Sequence, residues 1–407
     1  MAPHIPFEVI TEILAKLPVK SLLKFRVVCK SWCSLISTRQ FVKKHLSSNT
    51  SIPKKIIQLS ADVLTFYSLY DSKLVEESSP IKFQIENPKF HCINNKGLSS
   101  FWIMGYCDGL VCVETLHPES RIFLWNPSTR DSKILPCGVV GNGCFSWCGF
   151  GYDYNSDDYK VLIVVPPEES IDNDQEYSSD KSMIYTLRTN SWRRIQDFPL
   201  DTSFFFERTL DTSCSMVDMS ATLVNGALHW MARQGSNNSW VIVALDLTTE
   251  TYMDVPQPDF YGTPVEHIGI GASSTGCLCL NVYNGAGRRS YDFWVMNEYG
   301  VQESWTISLK IPYMVDDVCV DGLRPVTWYS ENGKILFNRD GKRATYNANK
   351  NSVRYLRPTT STYYSCPHGD VYVESLVSPN AYSSREAKEI SRLSINVGRT
   401  RRRVMNV

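Results

Sequence analysis

No stretch of 18 or more apolar residues runs along this 407-residue chain, and no charged-then-apolar leader opens it. Those two absences argue against a helical membrane span and a secretory signal, so the expectation is a soluble protein, not secreted. Charge of one sign is also lacking. The 42 Lys and Arg balance 42 Asp and Glu, and no global field points to nucleic acid or an anionic membrane. Cys-x-x-Cys is missing, although there are 13 cysteines. Cys107 and Cys112, Cys144 and Cys148, and Cys277 and Cys279 do not combine into a repeated zinc spacing, and the seven His are scattered. An odd cysteine count in a chain too long to need staples reads as reduced core thiols. Neither a metal nor another cofactor is expected.

Catalytic signatures are equally scarce. There is no Gly-x-Ser-x-Gly elbow, no P-loop and no His-Glu-x-x-His. Gly269-Ile-Gly271 lacks the third glycine and the strand–helix setting of a dinucleotide site. The acidic pairs Asp157/Asp158 and Asp316/Asp317 fall in predicted loops with no His or metal-ligand spacing nearby, and solvated turns account for them. No catalytic residue is assigned, and the expectation is a non-enzymatic protein.

What is present is core-forming material. The chain is 43% hydrophobic, with 21 Tyr, 17 Phe and 10 Trp, far from a disordered composition. It divides into residues 1–46, helical in pattern; a polar link at 47–54; a β-rich body at 55–378; and a polar, basic tail at 379–407.

In the helical segment, Pro6 suits the start of a helix because its missing N–H costs nothing there. Ile10, Ile13, Leu14 and Leu17 follow at helical spacing. Pro18 ends that helix and opens the next. Leu22, Phe25, Cys29 and Trp32 form a second stripe; Lys30–Ser37 suits a third helix, and Phe41 and Leu46 a fourth turn. Three short helices cannot hide this much apolar surface from one another, and a segment near 40 residues is at the limit of independent folding. Ile5, Pro6, Val9 and Val27 are among the surplus. Eight Lys or Arg against Glu8 and Glu12 make the segment locally basic, which suits an acidic partner.

The β-rich body carries a weak repeat. A turn residue and Gly precede an apolar run at Asp108-Gly109, Asn225-Gly226, Thr275-Gly276 and Asn332-Gly333. Asp153–Val165 has the turn and the run without the Gly. A second unit starts at Leu124, Tyr185, Leu245, Val295 and Tyr346, at intervals of 61, 60, 50 and 51 residues. Antiparallel strand pairs at this period predict propeller blades. With Ile56–Leu69 as an irregular first blade the expected count is six, and Val371–Val377 is left to pair beside the first blade and close the ring. Four connections, 137–148, 166–182, 201–214 and 256–267, exceed simple hairpins, and binding usually lives in such loops. Phe204, Phe205, Phe206 and Tyr261 are the candidate target contacts.

Two resemblances rest on these residues. Ile5 to Ile36, IPFEVITEILAKLPVKSLLKFRVVCKSWCSLI, closely resembles a plant F-box. That resemblance implies docking onto a Skp-type adaptor and, through it, a cullin and a RING subunit. By position it implies adaptor contacts at Ile5, Pro6, Ile10, Leu14, Leu17, Pro18, Leu22, Val28 and Trp32. The family usually begins Leu-Pro; Ile5 replaces that Leu at similar volume. CDGLVC (107–112), LWNPSTR (124–130), FGYDYNSDDYKVL (150–162), NGALHW (225–230) and VMNEYGVQESWT (295–306) are similar to the F-box-associated domain, which is related to kelch repeats. The Gly-Gly pair of typical kelch repeats is absent, so kelch target preferences are not carried over. The implied function is target recognition for an SCF (Skp–cullin–F-box) ubiquitin ligase, in the cytoplasm or nucleus. The alternatives are an F-box scaffold outside a ligase, and a propeller enzyme or sugar-binding propeller. The run Arg399–Arg403 reads as a solvated tail or a nuclear address.

Overall fold

A computed structural model describes residues 5–48, 55–60, 63–70, 73–76, 81–82, 101–115, 121–136, 147–165, 180–200, 220–234, 239–260, 265–273, 275–284, 290–312, 328–329, 334–339, 342–347, 350, 352–355 and 368–381. Four helices come first: α1 (Phe7–Ala15), α2 (Val19–Phe25), α3 (Lys30–Ser37) and α4 (Arg39–Ser48). Prolines set the first two starts. Pro6 and Pro18 hold extended backbone, with ψ of 143° and 146°. Their carbonyls accept the first helical N–H groups, from Val9 and Ile10 and from Ser21 and Leu22. Thr38 caps α4: its Oγ1 accepts the Phe41 N–H at 3.2 Å.

The fourth turn expected from Phe41 and Leu46 is thus a ten-residue helix. Two apolar pairs at i, i+4 spacing explain it. Phe41 and His45 are buried and stack on each other, with Phe41 in the helical core beside Leu14, Ala15, Val19, Leu22 and Ile36. Val42 and Leu46 pack against the core of the β domain.

The described strands form six antiparallel sheets. The first contains β1 (Lys55–Ser60), β2 (Val63–Tyr70) and β3 (Lys73–Glu76), with the short β4 (Ile81–Lys82) beside β2. The second is β5 (Phe101–Cys107), β6 (Leu110–Thr115), β7 (Arg121–Trp125) and β8 (Ser132–Ile134). The third is β9 (Trp147–Asp153), β10 (Asp158–Val165), β11 (Lys181–Thr186) and β12 (Ser191–Arg194). The fourth is β13 (Thr222–Val224), β14 (Ala227–Gln234), β15 (Ser239–Asp246) and β16 (Tyr252–Val255). The fifth is β17 (Val265–Ala272), β18 (Leu278–Asn284), β19 (Ser290–Met296) and β20 (Trp305–Pro312). The sixth is β21 (Trp328–Tyr329), β22 (Lys334–Arg339), β23 (Lys342–Asn347) and β24 (Ser352–Tyr355). The last described strand, β25 (His368–Tyr372), returns to the first sheet and pairs with β1, Ile56 opposite Val371.

First strands of successive sheets lie side by side: β25 on β5, β5 on β9, β9 on β13 and β13 on β17. Cys148 and Ser220 make a parallel bridge there. This is propeller packing, in which the third and fourth sheets are covered on both faces. The unbroken apolar run of β10 follows from it. Val161 and Ile163 enter one inter-sheet core with Leu110, Leu124 and Phe150. Leu162 and Val164 enter the next, with Leu228, Trp230 and Val243. Alternate side chains point to opposite faces, and here both faces are dry.

Of the four turn units, Asn332-Gly333 lies outside the described residues and Thr275-Gly276 takes positive φ at Gly276 alone. Asp108-Gly109 and Asn225-Gly226 both take positive φ, at 49° and 76° and at 49° and 75°, the geometry of a tight hairpin. The copy without glycine, between β9 and β10, places Asp157 at φ 54° instead. Between third and fourth strands, Asn126 and Asp246 build matching turns. The Asn126 side-chain oxygen accepts the N–H groups of Ser128 and Thr129; Asp246 accepts those of Thr248 and Thr249.

Candidate protein-docking face

The exposed apolar side chains of the helical module fall in two places. Ile5, Val9 and Ile13, four residues apart, mark the outer side of α1 with Phe7, all about half exposed. Val27 and Val28, 87% and 60% exposed, project from the turn between α2 and α3. The parallel series Ile10, Leu14 and Leu17 turns inward: Leu14 is buried, and Ile10 and Leu17 are half-buried against the core.

The sequence-predicted contacts therefore divide. Ile5, Pro6, Pro18 and Val28 are exposed; Ile10, Leu17 and Trp32 are half-buried; Leu14 and Leu22 are 2% and 0% exposed. Leu14 and Leu22 belong inside the module and support a face they do not line. Trp32 stands edge-on to Phe25, with ring centroids 5.6 Å apart. Phe7 and Ile13 join the exposed set. The signal for them was phase: α1 carries two apolar series, and only one can face inward.

The basic charge divides as well. Arg39 and Lys43 bind Asp157 of the β9–β10 turn, each at 2.5 Å. Lys44 pairs with Glu12, and Arg26 donates to Ser37 Oγ at 2.8 Å. Among the described residues, Lys16, Lys20, Lys24 and Lys30 are exposed and in no ion pair. Those four lysines flank the exposed apolar side chains in sequence. An apolar surface with a basic rim suits an apolar groove bordered by acidic residues.

The acidic pair Asp157/Asp158 corrects the expectation of a solvated turn. Asp157 takes the two α4 cations and the Tyr152 hydroxyl. Partial burial raises its carboxyl, but the hydrogen bonds from Lys43 and Tyr152 and the charges of Arg39 and Lys43 outweigh it and hold it below its ordinary value. Asp158 is buried and accepts the Arg188 N–H at 3.0 and 3.1 Å. The cysteine expectation also needs amending. Cys112 and Cys148 are buried thiols, but Cys29 and Cys33 of the helical module are exposed. At Cys29 the Ser31 hydroxyl, 3.1 Å away, and the Trp32 N–H draw the thiol below its ordinary value.

Phe204, Phe205, Phe206 and Tyr261 lie outside the described residues, as do Asp316/Asp317 and Arg399–Arg403. Among the described residues no three His, Cys, Asp or Glu side chains are grouped to hold a metal ion. No described helix is long and apolar enough to cross a membrane.

Comparison with known proteins decides between a generic helical cap and a dedicated docking module. The F-box domain family matches residues 3–44, and the F-box associated beta propeller domain family matches 58–379. The chain belongs to the F-box proteins with an F-box-associated β-propeller. Relatives cover almost all of it. The F-box/kelch-repeat protein At3g23880 of Arabidopsis thaliana is 30% identical over 397 residues, 93% of this chain and 97% of that protein. The F-box protein At3g07870 of the same plant is 29% identical over 353 residues, 82% of this chain and 79% of its own. The F-box protein CPR1 of Arabidopsis thaliana is 26% identical over 394 residues, 92% and 88% of the two chains.

Proposed function

We propose that this F-box protein is the non-catalytic, target-recognising subunit of an SCF-type ubiquitin ligase. The observation that carries the reading is the coincidence of an F-box match at residues 3–44 with exposed Ile5, Phe7, Val9, Ile13, Val27 and Val28 on the same module. Ile5, Pro6, Pro18 and Val28 touch the Skp-type adaptor directly, joined by Phe7, Val9, Ile13 and Val27. Ile10, Leu17 and Trp32 form the margin, with Leu14 and Leu22 packed beneath. Cullin and RING subunits join through the adaptor, and the ligase works in the cytoplasm or nucleus.

The propeller holds the target protein. Successive hairpins of a four-stranded meander alternate between the two ends of a sheet. The β9–β10 turn, with Asp157, meets the helical module, so the first and third turns of the second, third and fourth sheets share that end. The longer connections, with Phe204, Phe205, Phe206 and Tyr261, join the opposite strand ends, and their role in target recognition rests on sequence alone. No side chain here needs to act as nucleophile or base, because holding a target near a charged conjugating enzyme raises its effective concentration.

Affinity capture under proteasome inhibition tests this reading, comparing the full chain with the double variant Ile13→Asp, Val28→Asp. The wild type should retain adaptor, cullin and a target. The variant should keep the target and lose adaptor and cullin together. Equal recovery of cullin with both chains would contradict a ligase role for this face.

A further inference from the structure

The helical module has a partner at the far end of the chain. Leu376, 4% exposed, sits in the core of the four helices with Leu14, Leu22 and Phe41. The next residue, Val377, is buried in the adjacent inter-sheet core, where Val42 and Leu46 of α4 also pack. Two neighbouring residues thus join both cores.

The backbone around them is pinned. The Asn126 side chain donates to the carbonyl and hydroxyl of Ser375 at 3.1 and 3.2 Å and to the Val377 carbonyl at 2.7 Å. The Tyr372 and Ser128 hydroxyls are 2.7 Å apart, and Asn380 donates to the Ser132 carbonyl at 3.0 Å. A Cβ on Gly109 would come within 2.4 Å of Ser375 Oγ and 2.6 Å of the Val373 carbonyl. The segment 373–380 is wedged between the module and the turns of the second sheet.

Its place in the chain gives the arrangement its meaning. The segment follows directly on β25, the strand that closes the ring by pairing with β1. The helical module is joined covalently to β1, seven residues from Ser48 to Lys55. The chain therefore enters the ring from the module and, on leaving it, returns to the module through Leu376. From the same helix α4, Arg39 and Lys43 are held by Asp157.

We infer that residues 373–380 are a positioning clamp, through which completion of the propeller fixes the F-box on the ring. The segment that follows β25 delivers the side chain that completes the core of the helical module. Only a closed ring presents the adaptor face in one orientation to the target-reading domain. That consequence rests on the function proposed above; the clamp itself does not.

Hydrogen–deuterium exchange on the full chain, alone and with a Skp-type adaptor present, tests it. In Leu376→Ala, amides of α4 should exchange at least about tenfold faster than in the wild type, while those of β14 keep their protection. Small-angle scattering should show a larger radius of gyration, and adaptor capture should persist. Unchanged α4 protection in Leu376→Ala overturns the clamp. Should that variant fail to fold, Leu376→Val replaces it, with about threefold expected and unchanged protection again decisive. Loss of adaptor binding by the wild type would instead count against the docking function and leave the exchange result standing.

Discussion

Lys160 ties two sheets together through one ammonium group. It is 4% exposed, on β10, and its Nζ reaches Asp153 Oδ2 and Glu250 Oε1 at 2.8 Å each and the Leu247 carbonyl at 2.5 Å. Burial raises the carboxyls of Asp153 and Glu250, but the hydrogen bonds they receive, Lys160 among them, hold both below their ordinary values. Lys160→Met leaves two carboxylates without their shared cation, a change that costs about 3–5 kcal/mol for a buried pair. A urea titration of the variant should show a matching fall in midpoint at neutral pH. By contrast, Arg194→Ala, at an exposed pair with Asp197, should cost less than about 1 kcal/mol.

Two histidines make the fold sensitive to mild acid. His45 directs Nε2 at the Leu17 carbonyl at 2.9 Å, and its Nδ1 is buried without a partner. Burial draws its value below the ordinary one. His229 lies between the Thr222 carbonyl and the Tyr299 hydroxyl, at 3.2 and 2.7 Å, and burial draws it down to about 4. Folding thus favours the neutral form of each. Their contribution is complete above the unfolded value of about 6.5 and is lost as pH falls from there. Unfolding free energy should decline from about pH 6.5 towards 4.5, before the lowered carboxylates respond, and His45→Leu should flatten part of that decline. A profile flat across this range would contradict the assignment.

Among elements, the hairpins show how one sequence unit acquires different loads. Gly109 and Gly226 occupy equivalent turns at φ 76° and 75°. A Cβ at Gly226 meets nothing within 4 Å, so Gly226→Ala should cost only the left-handed backbone penalty, about 1–2 kcal/mol. Gly109→Ala adds a collision with Ser375 and Val373 and should lower the melting temperature clearly further. Equal melting of the two variants would contradict the packing of residues 373–380 on that turn.

Local elements were the most legible part of the sequence. Lys30–Ser37 is found as predicted, and β10 forms without its glycine because Asp157 accepts a left-handed φ. Pairing of the last described strand with the first was readable because a leftover apolar segment needed an edge, but only Val371 and Tyr372 of the expected Val371–Val377 pair there, and Leu376 and Val377 enter two cores instead. Contacts between distant residues were not readable. Nothing local marks Asp157 as the partner of Arg39, or Leu376 as a core residue of the F-box. Position in the F-box pattern did not tell which apolar side chains point inward, so Leu14 of α1 and Leu22 of α2 were assigned to a face they only support.

At the scale of the whole molecule, the helical F-box is held on the β-propeller. The interface between them mixes two kinds of contact. Each partly exposed ion pair to Asp157 is worth about 0–1 kcal/mol, while full burial of one Leu is worth about 1.5–3 kcal/mol. Leu376, Val42 and Leu46 therefore supply most of the hold, and Asp157 chiefly sets the angle. The apolar residues left exposed on the module are those the ring does not cover.

The most direct test is the affinity of the purified full chain for a purified Skp-type adaptor, measured beside Ile13→Asp, Val28→Asp and beside Lys20→Glu, Lys24→Glu. Both substituted chains should melt as the wild type does, since all four side chains are exposed. Tight binding by the wild type, a loss of at least about tenfold for the apolar pair, and a smaller, salt-dependent loss for the lysine pair are the predicted result. No binding by the wild type, or undiminished binding by the Ile13→Asp, Val28→Asp chain, would contradict the account.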